Sequence, residues 1–276
     1  MRSLDLDHQW IINAAQAKQL IAQGATVIDV RNIGAWFLGH IPGAVHVTWQ
    51  QFSQPSSHRG KLIEDSSILE GKLRAIGISN HKPVVVVGNP AHNFGEEGRI
   101  VWMLRTLGHS QAAFVDGGYD ALINTGIAIS WGLTQVETGD FCVQRTATWE
   151  IQRDELKANL GNQILIDTRT AKEYAGATPY GEQRGGHLLG ARHFYFKELI
   201  DLKGNLLPKE QIMTSLAHLG IQAETPIVAY CTGGVRSAFF VAVLAHFGFT
   251  QVKNYAGSLW EWSASPATDY PLQKLP

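Results

Sequence analysis

The sequence has few cysteines, no excess of either charge and no long apolar run. Only two cysteines, Cys142 and Cys231, occur among 276 residues. Neither belongs to a Cys-x-x-Cys or Cys/His cluster, which argues against a zinc site or a disulfide framework and favours a reducing compartment. With 23 basic and 24 acidic residues the formal net charge is -1, so nothing favours a nucleic acid or an anionic membrane surface as a partner.

No stretch approaches the length of apolar chain that a membrane-spanning helix needs. Segment 1–7 carries acidic residues where a signal peptide would have a long apolar core. We therefore expect a cytoplasmic protein with neither a membrane nor a nucleic-acid partner. A hydrophobic content of 45% over 276 residues is enough for a sizeable core, and the length favours two domains.

Short β-branched runs alternate with segments of helical spacing in the first half of the chain. The clearest run is 83–88, whose four consecutive valines predict a central strand covered on both faces. The other expected elements are a helix at 13–23, a strand at 26–31, an exposed serine-rich loop at 53–60, a helix at 68–76, a helix at 98–107 and a strand with its turn at 113–118. This alternation predicts an α/β fold with a mostly parallel sheet.

The second half of the chain repeats the first. Segment 29–31, Asp-Val-Arg, is echoed by 167–169, Asp-Thr-Arg, and the glycine-containing segment 39–44 is echoed by 186–191. Three more echoes follow in the same order: 84–87 with 227–230, 107–108 with 247–248, and 115–118 with 254–258. Five echoes in one order predict a duplicated domain.

Between the two halves, the stretch 124–145 loses the alternation and mixes glycine, threonine and isolated charges, as a connector does. We place the first domain at 1–132, the linker at 133–147 and the second domain at 148–276. A new helix is expected to start near Trp149.

Cys231 follows the strand-like run 227–230 and begins the loop Cys-Thr-Gly-Gly-Val-Arg, after which helical spacing resumes. Two glycines let backbone N–H groups curl around the sulfur, and the following helix adds its positive end, so the environment favours a thiolate. A buried packing cysteine is the alternative, but it would have no use for this loop. The repeat places Gly88 opposite Cys231, so the first half has no nucleophile there.

These motifs, together with segment 255–262, resemble the rhodanese family of sulfurtransferases, in the tandem form with an inactive first half and an active second half. The resemblance implies two tandem rhodanese-like domains, each with a mostly parallel central sheet flanked by helices. It also implies a persulfide enzyme with one active site, on Cys231. We expect no metal and no other cofactor.

The expected reaction moves a sulfane sulfur in two steps. The Cys231 thiolate attacks the outer sulfur of thiosulfate and expels sulfite, and cyanide or a thiol, including a thiol on a protein, then takes the sulfur from the persulfide. This scheme predicts ping-pong kinetics. The backbone N–H groups expected to stabilise the persulfide belong to Thr232, Gly233, Gly234, Val235 and Arg236.

Three other functions are weighed against this one. A 3-mercaptopyruvate sulfurtransferase shares the scheme with another donor, and Lys172-Glu173 stands where such enzymes typically have an arginine. A persulfide carrier without turnover would need the same loop. A cysteine phosphatase or arsenate reductase is disfavoured, because it typically has five residues between cysteine and arginine, whereas Cys231 and Arg236 enclose four.

Two arginines are candidates for binding an anionic donor. Arg236 could hold the donor through charge-assisted hydrogen bonds, or could cap the loop through a carboxylate. Arg184 is a second candidate for the sulfonate of thiosulfate. Cys142 is expected to play no part.

Other polar and aromatic residues are interpreted as structural. The duplicated pair Asp167 and Arg169 is expected to form an ion pair, as is the pair at 29 and 31. His40 and His187 are expected to fix loops. Trp260 and Trp262 are expected to pack in the core or between the domains.

Overall fold

The computed structural model describes residues 6–55 and 59–274 and contains two α/β halves. Segment 1–5 and the middle of the predicted loop, 56–58, lie outside the described residues. The first half consists of β1 (Ile11–Ile12), α1 (Ala14–Ala22), β2 (Thr26–Asp29), α2 (Ile33–Phe37), β3 (Val45–His46), a 3₁₀ turn (Trp49–Phe52), α3 (Ser66–Ala75), β4 (Val84–Val87), α4 (Glu96–Thr106), β5 (Ala112–Val115) and α5 (Gly118–Ile123).

The second half repeats this order with small changes. It consists of α6 (Arg153–Ala158), β6 (Ile164–Asp167), α7 (Ala171–Ala175), β7 (His187–Leu188), β8 (Arg192–His193), a 3₁₀ turn (Phe196–Leu199), α8 (Lys209–His218), β9 (Ile227–Tyr230), α9 (Val235–His246), β10 (Val252–Asn254), α10 (Ser258–Ala264) and β11 (Leu272–Gln273). No helix among the described residues is long and apolar enough to cross a membrane.

Each half has its own parallel sheet. The first sheet has the order β1-β5-β4-β2-β3, so the valine-rich β4 is its central strand, as the sequence predicts. The second has the order β10-β9-β6-β8. A short antiparallel pair of β7 and β11 adds to the second half. The α/β class with mostly parallel sheets is therefore confirmed.

The duplicated Asp-x-Arg motifs form the same structure in both halves. Asp29 ends β2 and holds Arg31 at 2.7 Å, and Asp167 ends β6 and holds Arg169 at 2.6 Å. All four side chains are buried. The expected structural ion pair is confirmed, and each arginine also donates to the carbonyl of a loop glycine, Gly39 in the first half and Gly186 in the second.

The duplicated histidines brace these loops in the same way. His40 stacks on Trp36 with ring centroids 4.1 Å apart, and His187 stacks on Tyr174 at 3.8 Å. Each ring nitrogen Nδ1 also contacts the backbone carbonyl of the residue on which the ring stacks. The expectation that these histidines fix loops is confirmed.

Helices α4 and α9 join the two halves in one hydrophobic core. A Cβ on Gly98 would overlap the backbone of Phe239, so the missing side chain lets the two helices approach closely. The ring of Phe239 lies 5.3 Å from that of Phe114 in the first sheet. Closely packed helices therefore hold the two halves together.

Two local expectations differ from the structure. The helix expected near Trp149 begins at Arg153, because the chain first runs alongside β10 through a bridge between Glu150 and Asn254. The predicted exposed loop 53–60 has buried ends, since Gly60 packs against the backbone of the second half. The predicted linker lies in a stretch without helix or strand between α5 and α6, and the domain boundaries stay a prediction.

Candidate active site

Cys231 lies at the carboxyl end of β9, where ligands of parallel α/β sheets typically bind. The loop runs from Cys231 to Gly234, and α9 begins at Val235. Gly234 adopts φ 77° and ψ 11°, the left-handed conformation that glycine allows at little cost. The strand, loop and helix expected from the sequence are all present.

The sulfur of Cys231 is surrounded by hydrogen-bond donors. The N–H of Gly234 donates to Sγ at 3.1 Å, and the hydroxyl of Ser237 lies 3.6 Å away. Burial alone would raise the pKa of the Cys231 thiol, but the charge of Arg236 and the hydrogen bonds from Ser237 and Gly233 outweigh it and lower the pKa. This arrangement stabilises a thiolate.

The two glycines of the loop are required by close contacts. A Cβ on Gly233 would overlap the indole ring of Trp260, and a Cβ on Gly234 would overlap the backbone of Ala256. A larger residue at either position would push the loop away from its support.

Helix α10 holds the loop from behind. Its backbone N–H groups at Leu259 and Trp260 donate to the carbonyls of Cys231 and Thr232, at 3.2 and 2.9 Å. The Cys231 N–H donates to the hydroxyl of Ser258, which has the unusual φ of 51° for a residue other than glycine. The carbonyls of Cys231 and Thr232 therefore point toward α10, whereas the N–H of Gly234 points to the sulfur.

Arg236 is paired with a carboxylate. Its guanidinium makes a two-pronged ion pair with Glu173 of α7, at 2.8 and 2.7 Å, and both side chains are buried. Arg236 also donates to the Thr232 hydroxyl, which donates in turn toward Glu173 or Glu182 at 3.1 Å. Burial alone would raise the pKa of Glu173, but Arg236 and Thr170 lower it to about 2. The structure thus contains the loop-capping arrangement that was the alternative for Arg236.

A cavity of about 350 Å³ opens above Cys231, between the two halves. The second half contributes the loop residues with Tyr180 and Trp260, and the first half contributes Trp49, Gln50, Phe94 and Glu96. The rings of Phe94 and Tyr180 meet edge to face at 5.9 Å, and the Arg236 guanidinium lies 5.6 Å from each. The cavity wall is therefore largely aromatic.

Arg184 is not among the residues that line this cavity, so the structure does not support the expected contact with the donor. Its guanidinium donates to four backbone carbonyls, all between 2.9 and 3.0 Å, those of Trp262, Ser263, Ser265 and Tyr270. Arg184 thus ties the chain after α10 to the loop before β7, and we assign it no place in the donor site.

The two tryptophans have different surroundings. Trp262 is buried in the core of the second half, as expected. Trp260 is half-buried at the cavity, where its ring lies 6.5 Å from that of Trp49 and 4.0 Å from the guanidinium of Arg59. It packs between the halves as expected, and it also forms part of the cavity wall. Cys142 is exposed and free, on the predicted linker.

Gly88 occupies the position that Cys231 has in the second half. Each follows an inner strand, and each carbonyl accepts from the second residue of the next short helix, Tyr119 at 2.9 Å and Leu259 at 3.2 Å. The carboxyl group of Glu97 fills the space that a side chain at Gly88 would need. Burial raises the pKa of this carboxyl group to about 7. The two halves therefore differ in what occupies this point.

Several residues of the site were missed at the level of sequence. Arg99 of α4 is fully buried and donates to the carbonyls of Gly234 and Gly60, so a residue of the first half holds the cysteine loop. The available signal was an arginine directly before the apolar run 100–104 of the predicted helix. Glu173 stands three residues after Thr170, a capping pattern that predicts a helix start but not its ion pair with Arg236. Within the described residues no cluster of His, Cys, Asp and Glu is arranged to hold a metal ion.

Comparison with known proteins adds to this geometry. The chain is 29% identical over 257 residues to the thiosulfate sulfurtransferase of Pseudomonas aeruginosa, covering 91% of this chain and 93% of that protein. It is 25% identical over 227 residues to the 3-mercaptopyruvate sulfurtransferase of Rattus norvegicus, covering 81% and 76%. The crystal structure of SseA from Escherichia coli, described as having the rhodanese fold, superposes with a TM-score of 0.77 at 22% identity, covering 90% of this chain and 98% of that one.

The model of the rhodanese-like domain matches this chain twice, over residues 13–125 and 152–265. One match falls in each α/β half, and together they span most of the sequence. The protein therefore belongs to the rhodanese family of sulfurtransferases, with two rhodanese-like domains in tandem.

Proposed function

We propose that this protein transfers a sulfane sulfur from thiosulfate to cyanide or a thiol through a persulfide on Cys231. The observation that carries the proposal is the Cys231 thiol at the base of a cavity, with a lowered pKa and the Gly234 N–H directed at its sulfur. A thiolate so placed is a soft nucleophile within a preorganised anion site.

In the first step the Cys231 thiolate attacks the outer sulfur of thiosulfate. The new bond joins Sγ to that sulfur, the sulfur–sulfur bond of the donor breaks, and its electron pair leaves with sulfite. In the second step cyanide or a thiolate attacks the outer sulfur, and the electron pair of the broken bond returns to Sγ. Thiocyanate or a new persulfide leaves, so donor and acceptor use the same site in turn.

Residues Thr232 to Arg236 serve this reaction by holding the loop in place. Gly233 and Gly234 allow the close approach to α10, and Val235 begins the helix whose positive end faces the sulfur. Thr232 and Arg236 connect the loop to Glu173. No cofactor is needed for these steps.

The ion pair of Arg236 with Glu173 favours a second candidate donor, 3-mercaptopyruvate. Both prongs of the guanidinium are already occupied, so the cavity offers a dianionic donor less positive charge than a free arginine would. A donor of lower charge then gains relative to thiosulfate. A persulfide carrier that hands its sulfur to a protein thiol uses the same first step, and turnover with cyanide distinguishes it from an enzyme.

The proposal is tested by loading the protein with thiosulfate and mapping the added sulfur by mass spectrometry. We expect one added sulfur atom on Cys231, stoichiometric release of sulfite, and thiocyanate formation on adding cyanide. Cys231→Ser is expected to abolish all three results. The matched control is Cys142→Ser, which removes an exposed thiol on the predicted linker and is expected to keep all three. Turnover retained by Cys231→Ser would overturn the proposal. Comparing kcat/KM for thiosulfate and 3-mercaptopyruvate in one preparation identifies the donor.

A further inference from the structure

The first half of the chain, although it lacks a nucleophile, forms one wall of the Cys231 cavity. Trp49 and Gln50 come from the 3₁₀ turn after β3, and Phe94 and Glu96 come from the start of α4. A molecule that reaches the sulfur of Cys231 therefore passes these side chains. They are in a position to select it.

Glu96 is the acidic residue among the described residues that line this cavity. Its Oε2 accepts from the N–H of Phe94 at 2.8 Å, and within the described part of the chain it forms no ion pair. The charge of Lys197 acts on Glu96, but its ammonium group donates a hydrogen bond to the carbonyl of Ala91 and not to Glu96. Burial raises the pKa of Glu96 by more than the backbone hydrogen bonds and the charge of Lys197 lower it.

Aromatic rings line the same cavity as this carboxylate. Trp49 and Trp260 lie 6.5 Å apart at an angle of 25°, and Phe94 and Tyr180 form the edge-to-face pair. The faces of such rings attract cations. A carboxylate without a counter-ion among aromatic rings is a combination suited to an ammonium group.

The remaining charges of the cavity do not offset Glu96. The positive charge of Arg236 is matched by that of Glu173. Cys231 itself carries a negative charge, first as the thiolate and, once sulfur is loaded, as the persulfide. An incoming cationic molecule is therefore attracted to the loaded cavity, and an anionic one is repelled.

We propose that the acceptor step is selective for a small thiol that carries an ammonium group, with Glu96 pairing the ammonium while the thiolate attacks the Cys231 persulfide. This inference rests on the proposed function. The acceptor thiol loses its proton to solvent, its sulfur bonds to the outer sulfur, and the bond between Sγ and the outer sulfur breaks with its electron pair returning to Sγ. The products are the aminothiol persulfide and the Cys231 thiolate.

The test separates the two half-reactions. Protein is loaded with thiosulfate, freed of excess donor, and the loss of persulfide is then timed with cysteamine, 2-mercaptoethanol or 3-mercaptopropionate, which are cationic, neutral and anionic. Rates are corrected for the thiolate fraction of each thiol. We expect cysteamine to react about tenfold faster than the neutral thiol, and the anionic thiol to be slowest.

Glu96→Gln keeps an oxygen for the Phe94 N–H and removes the charge. In this variant the cysteamine rate is expected to fall to within about twofold of the neutral thiol. The matched control is Glu224→Gln, an exposed carboxylate before β9, at the opposite end of that strand from Cys231, which is expected to keep the wild-type order. Ethanolamine, which has the ammonium but no thiol, should slow the wild-type reaction and not that of Glu96→Gln.

The outcomes distinguish this inference from the function on which it rests. If thiosulfate adds no sulfur to Cys231, the proposed function fails and the inference fails with it. If the persulfide forms but the three thiols react alike, or if Glu96→Gln leaves the preference for cysteamine intact, only the inference is overturned.

Discussion

The carboxyl group of Glu97 lies against the Cα of Gly88, in the space that the side chain of a nucleophile would need. Its Oε2 accepts from Asn93 at 2.7 Å, and its Oε1 is buried without a hydrogen-bond partner in the described structure. In the first half, the Glu97 side chain therefore occupies the space that corresponds to the Cys231 side chain in the second half.

Gly88→Cys is expected to give no second active site. The new Cβ would overlap Glu97 Oε2, so the substitution should lower the free energy of unfolding by roughly 1–3 kcal/mol. In a Cys231→Ser background, thiosulfate should add no sulfur to residue 88, as read by mass spectrometry. Adding Glu97→Ala should relieve the overlap and recover part of the stability. A persulfide on residue 88 of the variant that keeps Glu97 would contradict this account.

Glu97→Gln is expected to stabilise the protein at neutral and higher pH. The folded-state pKa of about 7 lies above the ordinary 4.5, so the folded protein binds the extra proton and loses stability as pH rises from 4.5 to 7. The variant removes this loss, with a gain of up to roughly 3 kcal/mol above pH 7 and none below pH 4.5. Urea unfolding at pH 4.5 and pH 8 measures the difference, and an equal change at both values would contradict it.

The reactivity of Cys231 is expected to rise with pH around a midpoint below the ordinary value for cysteine, because the folded site lowers its pKa. Alkylation by iodoacetamide in a Cys142→Ser background follows the thiolate directly. Ser237→Ala removes a hydrogen bond to the sulfur and should raise the midpoint. An unchanged midpoint would remove Ser237 from the group that stabilises the thiolate.

Glu173→Gln is expected to favour the donor of higher charge. Removing the carboxylate charge leaves Arg236 uncompensated beside the cavity, so the KM for thiosulfate should fall relative to that for 3-mercaptopyruvate. Glu182→Gln is the matched control, because Glu182 contacts Thr232 and not Arg236.

The ion pair of Glu173 with Arg236 also predicts that the protein is sensitive to acid. With a folded pKa of about 2, Glu173 adds stability above pH 4.5 that is lost as pH falls toward 2.

Arg184→Ala is expected to affect stability and not donor binding. Four carbonyls lose their donor, which should cost roughly 1–3 kcal/mol in the free energy of unfolding. The KM for thiosulfate should stay within about twofold of wild type. A large rise in KM with unchanged stability would return Arg184 to the donor site.

The fold and the loop at Cys231 can be predicted from local sequence patterns. The residues from distant segments that contact this loop cannot. The duplication, the central strand β4 and the loop at Cys231 each depend on residues close together in the chain, where spacing is informative. The pairing of Arg236 with Glu173 joins residues 63 positions apart, and the wall formed by Phe94 and Glu96 depends on how the halves pack. Arg184 was misassigned because the carbonyls around it belong to a segment near the end of the chain.

The contact of Gly95 and Gly98 with Phe239 has a consequence for the timing of turnover. Where two helices meet this closely, the halves cannot swing apart on a hinge without exposing the shared core. Molecules should therefore enter and leave through the open cavity, past the exposed rings of Phe94 and Tyr180, with no more than side-chain rotation. Side-chain rotation takes picoseconds to nanoseconds and domain closure microseconds to milliseconds, so exchange at Cys231 is expected to be fast compared with the chemistry.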